Sequence, residues 1–337
     1  MKLSRLGEFA LIERIRRSTP SGRGVLLGIG DDAAWVESRC GSILITSDLL
    51  IQDIHFKLEW TSLFALGHKA LAVNLSDIAA MGGKPAYLIL TLGIPLDFDS
   101  SQVAEFYRGI HLLCSKTGVV LVGGDTNIAQ TFIISVCVIG HAVYPPVTRS
   151  GAQIGNDIYV TGTVGDSSLG LKLLQSGRVA SNRGFAGYLV SRHRRPTARV
   201  IIGEMIARKR LATAMIDISD GLLQDLGHIC KTSGVGAEIW LDKLPLSRAY
   251  RALAGKDTVQ HALNGGEDYE LLFCARPRDR TRLQGLSKHA KVPITLIGKC
   301  VADAGITVLD NSGKAVAIAR KGYDHFINSV RSAKQRL

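Results

Sequence analysis

Apolar positions along the chain cluster into short runs of strand type, each ending on small or acidic residues. "SILITSDLL" is apolar from Ile43 to Ile45 and then gives Thr46, Ser47 and Asp48. "GVVLVGGDT" runs from Val119 to Val122 and closes on Gly123, Gly124, Asp125 and Thr126, while "AMIDISDGL" alternates through Ile216, Asp217 and Ile218 to Ser219, Asp220 and Gly221. Runs of this length bounded by Gly or Asp predict β-strands. "LLGIGDDAAW" at 26–35 ends the same way, on two adjacent carboxylates, Asp31 and Asp32. By contrast, "LGHKALAVNLSDIAAMGGKPA" from Leu66 has helical periodicity and stops where Gly82, Gly83 and Pro85 supply a break. "YVTGTVGDSSLGLKLL" at 159–174 is Gly-rich between a strand and a helix, which suits either a phosphate loop or a plain connecting turn.

Acids at strand ends change what this pattern implies. In open α/β architectures ligands bind beyond the ends of strands, where loops deliver polar groups to one place. A lone Gly-Asp-Asp is compatible with an exposed turn, but adjacent carboxylates repel unless a cation compensates them. Asn74 and Asp77 lie three apart and share a helix face, with Ala70, Val73 and Ala80 available to the core. A carboxylate in so apolar a helix needs a partner, and the basic residues near that face are Lys69 and Lys84, beyond the turn. Asp31, Asp48, Asp77, Asp125 and Asp217 together form an oxygen-ligand set of the kind Mg2+ uses to bridge carboxylates and phosphates. The chain has no His/Cys set suited to zinc and none of the common phosphate motifs, neither GxxxxGK[ST] nor a kinase HRD or DFG.

The 337 residues suggest two domains, and 46% hydrophobic content with 9 prolines fits a globular core rather than disorder. Six cysteines lack metal-type spacing and read as reduced, mostly buried thiols. The N-terminal "MKLSRLGEFALIERIRRS" is broken by charge, and no stretch approaches the roughly 18 apolar residues of a membrane span, so a cytoplasmic protein is expected. A net charge of +12 suits nucleic acid, an anionic membrane or small phosphorylated ligands. The densest basic run, "SRHRRPTAR" at 191–199, lacks interleaved aromatics and reads as a solvated helix end.

"GIGDDAA", "VNLSDIAAMGGKP", "GGDT", "TRSGA", "IDISDGL", "GGEDYELLF" and "KGYDHF" occur in the order seen in the thiamine-monophosphate kinase family, over residues 7–326. That family is similar in fold to aminoimidazole ribonucleotide synthetase and selenophosphate synthetase. The resemblance implies a two-domain α/β fold: an N-terminal domain, 1–144, that binds ATP and Mg2+ and dimerises through its sheet, and a C-terminal α/β domain, 145–337. Pro145 and Pro146 in "YPPVTRSGAQIGND" fit such a boundary on composition as well.

Position by position, the resemblance implies that Asp31, Thr46, Ser47, Asp48, Asp77, Asp125, Asp217 and Asp220 ligate several Mg2+ ions. Of these, Asp48, Asp77, Asp125 and Asp217 would carry catalysis, while Asp32 caps the following turn. Tyr107, Gly124, Arg149 and Ser219 would contact ATP, and His55, Glu267 and Tyr323 would hold the thiamine moiety. K+ is a further candidate ion. The implied partners are ATP, thiamine monophosphate and a second copy of the chain, with neither nucleic acid nor membrane. Ser47 stands where the family more usually has Thr, and Gln52-Asp53 where it commonly shows Glu-Gly. Asp53 is the more consequential departure, because glycine takes positive φ more freely. Two other readings remain open from sequence: a synthetase of the same superfamily with a different acceptor, and a protein that binds nucleotide or nucleic acid without turnover. A selenophosphate synthetase would want a reactive Cys near the N-terminus, whereas the first here, Cys40, follows the Gly-Asp-Asp turn.

Overall fold

The computed structural model describes residues 8–19, 22, 24–38, 41–177, 184–255 and 258–318. After helix α1 (Glu8–Ser18), the first half builds a sheet from β1 (Val25–Leu27), β2 (Ala34–Ser38), β3 (Gly41–Ile51), β4 (Lys84–Ile94), β5 (Val120–Ile128) and β6 (Ile133–Ala142). Its strand order is β1-β2-β3-β6-β4-β5, antiparallel except for the β4–β5 pair. Alternation sorts the residues onto two faces. Leu44, Thr46 and Leu50 of β3 point inward with Leu88, Leu90 and Leu92 of β4. Helices α2 (Leu63–Ala80) and α3 (Ser100–Thr117) cover that inner face. The other face carries Ile45, Leu49, Tyr87, Ile89, Val120 and Val122, all exposed.

Two acid-terminated runs extend further than their sequence suggests. β3 continues through Asp48 to Ile51 because β6 pairs with it along that length, Asp48 opposite Val136 and Ile51 opposite Ile133. β5 likewise runs through Asp125 to Ile128 against β4. Ladder hydrogen bonds to a neighbouring strand override the weak β-propensity of Asp and Gly. β8 (Ala214–Asp217), in the second half, does end on its acid.

The second half forms another mixed sheet, adding β7 (Asp157–Thr161), β9 (Gly236–Trp240), β10 (Leu271–Ala275), β11 (Ile294–Val301) and β12 (Ile306–Leu309) in the order β12-β9-β11-β7-β10-β8. Every residue of β7, β8 and β10 is buried, as strands covered on both faces must be. Helices α4 (Asp166–Gln175), α5 (Gly184–Arg194), α6 (Val200–Arg208), α7 (Leu222–Ser233), α8 (Arg248–Leu253), α9 (Thr258–Asn264) and α10 (Arg280–Ala290) complete this half. Ile158, Val160, Ile216 and Leu272 pack with Leu169, Leu189, Leu222 and Leu226 of α4, α5 and α7. On the opposite face Met215 and Phe273 meet Ile202 and Ile206 of α6, Leu283 of α10, and Ala79 and Ala80 of α2. Helix α2 is therefore shared by both cores, and 15 of its 18 residues are buried. Ser62 caps its start by accepting from the Ala65 N–H at 3.2 Å, and Gly82, at φ +69°, lets the chain leave its end.

Among the described residues no helix is long and apolar enough to cross a membrane. The described cysteines are free thiols, with Cys114, Cys230, Cys274 and Cys300 buried, and Cys40 lies outside the described residues. α2 and α3 cross at their glycines. A Cβ on Gly67 would sit 2.0 Å from the Phe106 carbonyl oxygen, and one on Gly109 would sit 2.0 Å from that of Phe64. Gly67→Ala or Gly109→Ala forces the helices apart, so each should destabilise the protein by about 1–3 kcal/mol or more, read as a lower midpoint in urea unfolding.

Candidate active site

Four segments converge where the two halves meet: the Gly-Asp-Asp turn, β3, α2, and β8 with the loop after it. On α2, Asp77 accepts from Thr46 Oγ1 of β3 at 2.6 Å, and the neighbouring Ser76 donates from Oγ to Asp217 Oδ2 at the end of β8, also at 2.6 Å. Asn74, one turn earlier, accepts the Asp48 N–H at 3.1 Å and donates to the Ala70 carbonyl. One carboxylate oxygen from each of Asp32, Asp77 and Asp217 lies within 4.8 Å of the other two. Asp32 and Asp217 are buried, and Asp77 is partly so.

The cluster is electrostatically strained. Burial, reinforced by the charge of Asp32, pushes Asp217 up to about 8 and Asp31 up to about 7. Asp48 rises to about 6 through burial and the charge of Asp220, and Asp77 goes well above the carboxylate range through burial and then Asp48, Asp217 and Asp32. Arg149 offsets this: it donates from Nη2 to Asp32 Oδ1 at 2.8 Å, and its backbone N–H donates to Asp31 Oδ2 at 3.0 Å. Burial works against the Arg149 charge, but Asp32 and Asp31 outweigh it and hold the guanidinium protonated. Asp32 Oδ2 is buried with no hydrogen-bond partner. An orphaned carboxylate oxygen facing two more carboxylates is a donor set that a hard divalent cation satisfies.

The two acids of the turn are placed differently. Asp31 makes the local turn bond, accepting from the Asp32 N–H at 3.0 Å, and Asp32 is the one aligned with Asp77 and Asp217. Asp220 approaches the cluster from the loop after β8, its charge felt at Asp48. That loop is wound around Asp225 of α7, whose Oδ2 accepts the N–H groups of Ser219, Asp220 and Gly221 at 3.1, 3.2 and 3.0 Å. Asp125 stands apart and exposed, binding the Thr126 N–H and Asn127 Nδ2, and Ser47 is exposed on the sheet face opposite Thr46 and Asp48. Gly124 is pressed onto β4, where a Cβ would sit 1.8 Å from the Leu90 oxygen. Tyr107 of α3 is half-buried with its ring edge-on to Phe106.

His55 lies in the turn after β3 and accepts the Ile51 N–H on Nδ1 at 3.0 Å. Asp53 in that turn takes φ +65°, so the position does need left-handed backbone, which Asp tolerates better than most residues. Glu267 is met by Lys69 Nζ at 2.5 Å and His193 Nδ1 at 3.1 Å. Tyr323 lies outside the described residues.

Two other sequence readings resolve here. The loop before α4 is a connecting turn, because the Asp268 carboxylate already accepts the Gly165 and Ser167 N–H groups where a phosphate would sit. The basic run is not a solvated helix end. Arg192 and Arg199 both clamp Glu270, a fully buried acid that also accepts from Thr161, so the cations are drawn inward by a charge that sequence alone did not place.

Residues 30–142 match the family described as "AIR synthase related protein, N-terminal domain", and residues 153–311 match its C-terminal domain. Over 326 residues the chain is 41% identical to the thiamine-monophosphate kinase of Escherichia coli K12, covering 95% of this chain and 98% of that one. The chain belongs to the thiamine-monophosphate kinase family. The family member from Aquifex aeolicus is 37% identical over 97% of this chain and all of its own length. Among solved structures, "AaThiL complexed with AMPPCP and TMP" superposes with a TM-score of 0.84 at 36% identity, covering 96% of this chain and 99% of that one. The thiamine-monophosphate kinase of Stenotrophomonas maltophilia gives 0.76 at 40% identity, covering 92% and 98%. Hydrogenase maturation proteins HypE share the fold at 17–18% identity.

Within this family member, sequence reading passed over Ser76 and Asp225, and it placed Asn74 and Lys69 on α2 without finding their partners, the Asp48 N–H and Glu267. Ser76 and Asn74 carried a signal, since polar residues fully buried in an apolar helix require partners.

The raised carboxylates set a pH dependence. A carboxyl held above its unfolded value favours the fold while protonated and loses that contribution as pH rises through the folded value. Thermal unfolding in EDTA should therefore show stability falling as pH rises from the ordinary carboxylate value of about 4 and levelling off toward pH 8, as Asp48, Asp31 and Asp217 ionise in turn in the folded protein. Asp217→Asn keeps an acceptor for Ser76 and removes one charge, so it should flatten that slope and stabilise the metal-free protein at pH 8 by about 1–3 kcal/mol.

Proposed function

We propose that this chain transfers the γ-phosphoryl group of ATP to thiamine monophosphate, giving thiamine diphosphate and ADP, the last step of thiamine diphosphate synthesis. The observation that carries this reading is the Asp32–Asp77–Asp217 cluster with Arg149 beside it, in a chain so close to thiamine-monophosphate kinases over nearly its whole length.

The acceptor is a phosphate, already ionised near neutral pH, so no residue has to act as a base. What the protein must do is bring two polyanions into line and hold them. Arg149 is fixed by Asp32 at one side of the cluster and presents its charge at the meeting point of the two halves. Thr46 and Ser76 lock the carboxylates of Asp77 and Asp217 in single orientations, which keeps the donor geometry preorganised. Asp31, Asp32, Asp48, Asp77, Asp217 and Asp220 would hold the Mg2+ ions, and K+ remains a candidate monovalent ion. When bound, Mg2+ neutralises phosphate oxygens and orients them. Ser219 and Tyr107 are assigned to ATP, and His55, Glu267 and Tyr323 to the thiamine moiety.

We also place Asp125, Ser47 and the exposed apolar face of the first sheet at the interface of a homodimer, in a cytoplasmic enzyme whose two domains divide at 144/145. An apolar sheet face of this kind is what association between copies would cover.

Incubation with ATP, Mg2+ and thiamine monophosphate should yield thiamine diphosphate and ADP in equal amounts. Unphosphorylated thiamine should remain a poor substrate, because the site offers no base for a hydroxyl. Folded protein that binds ATP yet makes no thiamine diphosphate would overturn the reading. Asp77→Asn should cut turnover by roughly a hundredfold or more through lost charge stabilisation, with the fold intact by circular dichroism. Tyr323→Ala should raise KM for thiamine monophosphate by roughly two- to thirtyfold, the span of a cation–π contact with the thiazolium.

A further inference from the structure

Lys69 is a buried lysine that the chemistry above does not use. It sits on α2 two turns before Asp77, and its Nζ reaches across to Glu267 Oε1 of the second half at 2.5 Å. The second carboxylate oxygen, Oε2, lies 3.1 Å from His193 Nδ1 on α5. That nitrogen therefore carries the proton, and Ser167 Oγ approaches the same atom at 3.1 Å. The Glu267 backbone is pinned as well: its N–H donates to the Ser219 carbonyl at 2.7 Å, and its φ is +67°. Backbone and side chain are thus fixed from three directions.

Exposure separates the roles. The Glu267 side chain is 27% exposed, whereas those of Lys69 and His193 are 5% and 9%. The cavity bounded by Phe56, Trp60, Leu66, Lys69 and His193 measures about 10 Å³, which admits a water at most. Substrate can meet the carboxylate but not the two groups that hold it. Burial alone would favour the neutral acid, but Lys69 and then His193 outweigh it and hold Glu267 well below the usual carboxylate range. Each carboxylate oxygen has two lone-pair directions, so one stays open on each after these two partners are served.

We propose that Lys69 is a positioning residue for acceptor recognition: with His193 it holds Glu267 ionised and aimed, so that the carboxylate accepts hydrogen bonds from an amino-heterocycle of the phosphorylated acceptor. This rests on the acceptor reading given above. It makes one helix serve both substrates, with Asp77 at the phosphates and Lys69 behind the acceptor's ring.

The test is steady-state kinetics of the full-length protein with ATP and thiamine monophosphate. Wild-type turnover checks the acceptor reading by itself. Given that turnover, Lys69→Met should raise KM for thiamine monophosphate by about tenfold or more and leave KM for ATP within about twofold. Because Lys69 acts through Glu267, Lys69→Met combined with Glu267→Gln should cost no more than Glu267→Gln alone. An unchanged KM for thiamine monophosphate, an equal rise for ATP, or multiplying effects in the double variant would each overturn the proposal. Should Lys69→Met fail to fold, Lys69→Gln carries the same comparison, and failure of both to fold would make the lysine a structural ion pair and nothing more.

Discussion

Everything at this site follows from holding Asp32, Asp77 and Asp217 together against their own repulsion. Three carboxylates with oxygens inside 4.8 Å, two of them buried, do not assemble on their own. The fold imposes the arrangement by placing each acid on a separately anchored element: a tight turn, a helix packed between two cores, and a strand paired with its neighbour. Small hydroxyls do the fine positioning, since Thr46 and Ser76 each occupy a carboxylate oxygen that would otherwise swing away. The apolar burial of α2 supplies the opposing free energy, and function is what the stored repulsion makes available.

Strand-type runs and the α2 helix were legible because their periodicity is local. What was not legible was how far β3 and β5 continue, since that depends on partners remote in sequence. The acids themselves were visible as candidates, but their sorting was not. Nothing in "GDD" says that Asp31 turns the chain while Asp32 faces the cluster. Ser47 shared a tripeptide with Thr46 and Asp48, yet the two-residue period of a strand sends it to the far face. The resemblance carried the residue types, and three-dimensional register decided which of them converge.

The "GGEDYELLF" block shows how one stretch divides its charges. Glu267 stays partly exposed against Lys69 and His193, Asp268 fills the start of α4, and Glu270 vanishes into a clamp of Arg192 and Arg199. Three acids within four residues thus serve recognition, helix capping and the tying of α5 and α6 to the sheet. The last two convert much of an apparently solvent-facing basic run into internal counter-ions. Net positive charge here is therefore a poor guide to surface chemistry, because part of it neutralises acids inside the protein.

Helix α2 also dictates how the molecule comes apart. Its side chains complete the core of one sheet while its C-terminal turn completes the core of the other. Neither half can shed that helix without exposing its own interior. Opening of the amides along Ala70–Ala79 therefore requires both cores to melt, so hydrogen exchange there reports the global transition and the halves lose structure as one cooperative unit.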